Sequence, residues 1–145
     1  TGEARRAQPY VLLDAGGGRK LERLGDVLVD RQAPPALWRP LRPGSEWNRI
    51  HGRHHRSKEG GGRWEWKSRV PDEWFVRHGG FDFLVRPTPF GHVGFFAEQS
   101  EQWDWLRKSV LALAQALGRP PKILNLFAYT GSCGQFVDDF TLNQC

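Results

Sequence analysis

Lys122-Ile-Leu-Asn-Leu-Phe-Ala-Tyr-Thr-Gly131 is the stretch on which the fold reading turns. The run Ile123 to Ala128 is short and nearly all apolar, as a strand covered on both faces requires. A glycine turn follows it, Thr130-Gly-Ser-Cys-Gly134. Gly131 and Gly134 carry no Cβ, so the backbone there can turn sharply and approach a ligand closely. Helix, buried strand, glycine turn is how an α/β fold begins, and in such folds ligands sit just beyond the carboxyl ends of the strands. The turn matches neither G-x-G-x-x-G nor a phosphate loop, so the local pattern alone favours a plain structural turn.

Upstream of that strand lies a helix. Trp103, Leu106, Val110, Leu113 and Leu117 recur at steps of three and four, one face of an amphipathic helix. Ser100 suits the N-cap, Glu101 and Asp104 the first turn, and Gly118 with Pro120 and Pro121 the stop. The apolar stripe is read as core packing. Before residue 99 the period shortens. Tyr10–Asp14, Arg19–Leu24 and Val27–Asp30, separated by Ala15-Gly-Gly-Gly18 and Gly25-Asp26, read as an antiparallel meander. Residues 33–44 carry Pro34, Pro35, Pro40 and Pro43 and form a connector. Arg53 to Gly62 is expected to be a mobile loop and Trp64–Val70 a strand. Trp74–His78 and Phe81–Val85 flank Gly79-Gly80 as a hairpin, and His92–Phe96 is read as a further short strand.

The chain has 145 residues, 39% of them apolar, with mean hydropathy −0.59 and net charge +5. Seven Trp and nine Phe supply a core. No run reaches the ~20 apolar residues a membrane span needs. Cys133 and Cys145 form no disulfide framework and no zinc spacing, so a reducing cytoplasmic setting without metal is expected. The charge is concentrated. Arg49, Arg53, Arg56, Lys58, Arg63, Lys67 and Arg69 face only Glu59 and Glu65 within residues 49–69, which therefore hold the whole net charge. Trp64 and Trp66 are interleaved with them, the pattern a nucleic-acid backbone and its bases would meet. A solvated basic loop is the competing reading of the same residues.

Four segments in series, Tyr10–Gly25, Pro35-Ala-Leu-Trp38, His92-Val-Gly-Phe-Phe-Ala-Glu-Gln99 and Ile123–Gly131, resemble class I S-adenosylmethionine-dependent methyltransferases similar to the large-subunit ribosomal RNA cytosine-C5 methyltransferases. The resemblance implies S-adenosylmethionine as cofactor, with Asn125, Phe127, Ala128, Tyr129, Thr130 and Gly131 lining it and Gln99 contributing from the segment before the catalytic domain. A Gln amide both donates and accepts, which suits a methionine carboxylate and amine; an ordinary polar residue at a helix start is the alternative for Gln99. The implied architecture is α+β. Residues 1–98 form a β-rich antiparallel module with the basic loop, and residues 99–145 the truncated start of a Rossmann-like domain.

The family's catalytic motifs fall downstream of Gly131, and neither Cys133 nor Cys145 matches the nucleophilic thiol's position. The start at Thr1 and the 23 residues from Ile123 to the end, fewer than the ~30 of a βαβ unit, lead to the expectation of a fragment. Alone it is expected to bind cofactor weakly at best and not to turn over, its parent methylating RNA. A non-enzymatic RNA-binding module acting through residues 49–69 is the second reading. A fragment that self-associates through the exposed edge of strand Ile123–Ala128 is the third.

Overall fold

The computed structural model describes residues 7–124. The chain divides into two compact units, Thr1–Gly94 and Phe95–Cys145. The first is built on β1 (Gln8–Gly16), β2 (Arg19–Leu24), β3 (Val27–Gln32), α1 (Gly44–Trp47), β4 (Gly52–Arg56), β5 (Gly62–Trp66), β6 (Trp74–His78) and β7 (Phe81–Val85). The second contains α2 (Ser100–Leu117), entered through a 3-10 turn at Ala97–Gln99.

The strands form one sheet in the order β5-β4-β3-β2-β1-β6-β7. It is mixed, which corrects the expected antiparallel module. β1–β2, β2–β3, β4–β5 and β6–β7 are antiparallel, but β3–β4 and β1–β6 are parallel. Parallel neighbours need a crossover of a dozen residues or more. The proline-rich connector and α1 supply it between β3 and β4, carrying the chain back to the end from which β3 started.

Two further expectations change. Residues 52–56 are a strand rather than a mobile loop: Arg53, His54 and His55 pair with Glu65, Trp64 and Arg63, and only residues 57–61 turn. His92–Phe96 forms no strand. Arg86 N–H donates to the Val93 carbonyl (3.2 Å), and Gly94 then bends away at φ +109°, where its backbone passes so close to the Leu84 carbonyl that a Cβ would lie 2.7 Å from that oxygen. In α2 the helix begins at Ser100, with Gln99 at the cap position, because the 3-10 turn already serves the first donors through Phe96 and Ala97 carbonyls. Its stop at Gly118 is left-handed (φ 61°), as expected. Trp103 and Val110 of the apolar stripe are buried, whereas Leu113 and Leu117 are about half exposed.

A bulge in β1 between Leu12 and Asp14 sets up one side of the sheet. It moves Asp14 opposite Leu21, on the face where Leu21, Trp47 and Ile50 are buried with Leu13 packed against them. There the Asp14 carboxylate accepts from the Leu41 (3.3 Å), Arg42 (2.8 Å) and Ala15 (2.9 Å) backbone N–H groups and from the Trp47 indole (3.0 Å). Burial alone pushes this carboxyl up, but the donors at Arg42, Trp47, Leu41 and Ala15 outweigh it and hold Asp14 below the ordinary aspartate value. One side chain thus pins the connector and α1 to the sheet.

Glu22 is fully buried. Arg31 grips it with two bonds, Nε to Oε2 (2.6 Å) and Nη2 to Oε1 (2.7 Å), and the Tyr10 hydroxyl donates to Oε1 (3.0 Å). Lys20 Nζ lies 3.2 Å from Oε1. Burial raises the Glu22 carboxyl, and the bond to Arg31, the charges of Arg31 and Lys20 and the Tyr10 hydroxyl more than offset it, so its pKa is lowered. The third guanidinium nitrogen of Arg31 donates to the Gly91 carbonyl (2.8 Å), tying residues 88–91 to the sheet.

Gly91 itself sits over His54. At φ +79° its missing Cβ would lie 2.7 Å from Nδ1 of a ring that is buried and held by the Pro89 carbonyl (2.9 Å). Gly91→Ala is therefore expected to cost about 1–3 kcal/mol, from left-handed strain and the displaced ring together. Urea unfolding measures it; a loss below about 0.5 kcal/mol would show that the 88–91 turn moves freely.

Candidate nucleic-acid and cofactor sites

The centre of the basic segment, residues 52–66, folds as the β4–β5 hairpin at one edge of the sheet, and strand alternation divides it between two faces. His54, Arg56, Trp64 and Trp66 share one face; Arg53, His55, Arg63 and Glu65 share the other. Arg53 is not available to a polyanion on the same terms as the rest. Its Nε lies 2.7 Å from Oδ2 of Asp30, a fully buried carboxylate whose Oδ1 meets Arg19 Nε at 2.5 Å. A carboxylate buried this deeply needs both cations. Lys67 donates to the Asn48 carbonyl (3.2 Å). Arg49, Arg56, Lys58, Arg63 and Arg69 are exposed and have no ion-pair partner among the described residues.

The histidines have protein partners. His51 Nδ1 accepts from the Leu28 N–H (2.9 Å), His54 Nε2 meets the Pro89 carbonyl, and His55 Nε2 meets Glu65 (2.8 Å). Among the described residues no cluster of His, Cys, Asp or Glu is arranged to hold a metal.

On the His54 face the two indoles stack, centroids 4.9 Å apart and planes within 9°. Trp64 Nε1 donates to the Thr88 carbonyl (2.8 Å), and His54 meets Trp64 edge-on at 5.3 Å. Trp66 lies directly over Gly52, where a Cβ would come within 2.2 Å of its ring. Beside the pair runs a cleft of about 280 Å³, lined also by Ser68, Arg69, Val70, Pro71, Asp72 and Pro87. Alternating Trp and charge suggested aromatic contact from sequence; the cleft was not legible, because residues 68–72 and 87 come from outside the hairpin.

In the second unit, Gln99 closes the 3-10 turn, half-buried, its backbone N–H donating to the Phe96 carbonyl (3.1 Å). Its side-chain amide has no hydrogen-bond partner among the described residues and does not cap α2. Asn125, Phe127, Ala128, Tyr129, Thr130 and Gly131 lie outside the described residues, as does most of the expected strand Ile123–Ala128.

No protein-family model matches the chain, and no curated protein matches it. Solved structures do. A SAM-dependent methyltransferase from Agrobacterium tumefaciens superposes with a TM-score of 0.76 at 39% identity, over 90% of this chain and 41% of that protein. The chain is similar to part of a SAM-dependent methyltransferase. It spans about two fifths of that relative's length. A Streptococcus mutans protein provisionally assigned to the SAM-dependent methyltransferases shares the fold at a TM-score of 0.50 and 12% identity, over 93% of this chain and 44% of its own. The match to the Agrobacterium methyltransferase extends over nine tenths of the chain, so it takes in more than the sheet. Among the described residues no helix is long and apolar enough to cross a membrane.

Proposed function

We propose that this chain is part of a class I S-adenosylmethionine-dependent methyltransferase acting on RNA, of the kind that methylates cytosine C5 in large-subunit ribosomal RNA. The observation that carries the methyltransferase reading is the match at 39% identity over 90% of the chain. The RNA reading rests on the basic segment 49–69, where five exposed cations, three of them in the β4–β5 hairpin, stand without an ion-pair partner among the described residues. Residues 1–98 then form the module that meets RNA, and residues 99–145 open the cofactor domain.

S-adenosylmethionine supplies an electrophilic methyl group when bound. The chain's part is to hold it. The Gln99 amide suits that role, since it can donate to the methionine carboxylate and accept from the amine. Asn125, Phe127, Ala128, Tyr129, Thr130 and Gly131 complete the cofactor wall in this reading, with Gly131 allowing close backbone approach. Arg56, Lys58, Arg63, Arg69 and Arg49 meet phosphates; Arg53 and Lys67 contribute charge from positions already engaged by protein. A cytoplasmic setting accords with this role.

Ultraviolet crosslinking with methyl-labelled S-adenosylmethionine tests the assignment. The label is expected in peptides containing Gln99 or residues 125–131, and to be competed away by S-adenosylhomocysteine. Label confined to residues 7–94, or insensitive to the competitor, would overturn it.

A further inference from the structure

We propose that the cleft beside Trp64 and Trp66 receives one unpaired base of a single-stranded RNA, stacked on the indole pair. The inference rests on the RNA reading above and adds to it a specific site. Three features of the structure carry it.

The first is that the aromatic surface is already ordered. Trp64 is fixed by its bond to the Thr88 carbonyl and by the edge of His54. Trp66 is fixed over Gly52, the only residue type whose backbone lets the ring lie so close. Two indoles parallel to within 9° form a platform to which a third planar group adds without reordering either ring.

The second is the chemistry of the cleft. Its walls are the two indoles, Val70, Pro71 and Pro87, with Ser68, Arg69 and Asp72 as the polar members. Asp72 disfavours a phosphate inside the cleft, yet its carboxylate accepts from the exocyclic amine of a base. An opening of about 280 Å³ is small for a drug-sized ligand and suits a single flat ring system.

The third is the charge around it. Arg56 lies on the same face of the hairpin as the indoles, Lys58 follows in the hairpin turn, and Arg69 lines the cleft. None is ion-paired among the described residues. A base in the cleft leaves its flanking phosphates to these cations.

Fluorescence anisotropy with the whole chain and a single-stranded RNA of ~8 nucleotides, compared with an abasic RNA of the same length, separates stacking from phosphate contact. The base-bearing strand is expected to bind about tenfold more tightly at equal salt, quenching tryptophan emission as it does so. Trp66→Leu is expected to bring the two affinities within twofold while leaving abasic binding unchanged, and Trp66→Phe to restore most of the difference. Equal affinities for the two strands in the unaltered chain would overturn the cleft while leaving the RNA reading standing. No binding of either strand at low salt would overturn both. A preference for bases that survives intact in a folded Trp66→Leu chain would also overturn the site.

Discussion

Replacing Arg31 with Met is expected to destabilise the first unit by about 3–5 kcal/mol at neutral pH. Arg31 supplies two of the three closest hydrogen bonds to Glu22, whose side chain has no solvent exposure. Without it, Tyr10 and Lys20 remain, and the burial that is now outweighed would push the carboxyl up. The sign with pH follows. Glu22 in the intact chain has a lowered pKa, so its stabilisation is present above the ordinary glutamate value and is lost as pH falls through the lower folded value. In Arg31→Met the charged form is the burdened one, and protonation relieves it. The gap between the two proteins is therefore widest near pH 7 and narrows in acid. Urea unfolding at pH 7 and near pH 4 measures both. The double change Glu22→Leu with Arg31→Met is expected to recover most of the loss, because it removes the buried charge along with its partner. A loss under about 1 kcal/mol at pH 7, or one that does not change with pH, would show that the pair is solvated in solution.

Asp14→Ala is expected to cost about 2–4 kcal/mol. It strips the acceptor from two backbone N–H groups of the connector, from its neighbour Ala15, and from the buried Trp47 indole. The consequence is local as well as global. With the connector unpinned, Leu37 and Leu41, already 84% and 91% exposed, sit in a chain that proteases can enter. Limited proteolysis is expected to cut within residues 33–43 faster in Asp14→Ala than in the unaltered chain. Asp14→Asn keeps an acceptor and is expected to lose about half as much. Equal cleavage rates in all three would mean that Trp47 and the core around Leu21 hold the connector without help.

Much of the first unit could be read from sequence, for a physical reason. Its elements are local: β1 to β3 are punctuated by Gly16-Gly-Gly18 and Gly25-Asp26, and β6 and β7 by Gly79-Gly80. All of these turns reverse the chain where the glycines allow positive φ. What escaped is non-local. Parallel pairing of β3 with β4 depends on where a 19-residue connection delivers the chain, which no window of pattern contains. Strand β4 was hidden because Arg53, His54, His55 and Arg56 look solvated. Two of them are held by partners distant in sequence, Arg53 by Asp30 and His54 by Pro89, and so are compatible with a paired strand. The same distance effect concealed the cleft beside Trp66. The cofactor reading was legible only through ordered motifs, since Gln99 in isolation resembles any polar residue at a helix start.

Calorimetric titration of the chain with S-adenosylhomocysteine at low salt tests the central claim, that these residues open a methyltransferase cofactor site. Weak but saturable binding near one equivalent is expected, reduced about tenfold by Gln99→Ala and abolished by Gly131→Trp, with both variants folded. Absence of saturable binding in a folded sample, or binding that ignores both substitutions, would contradict it.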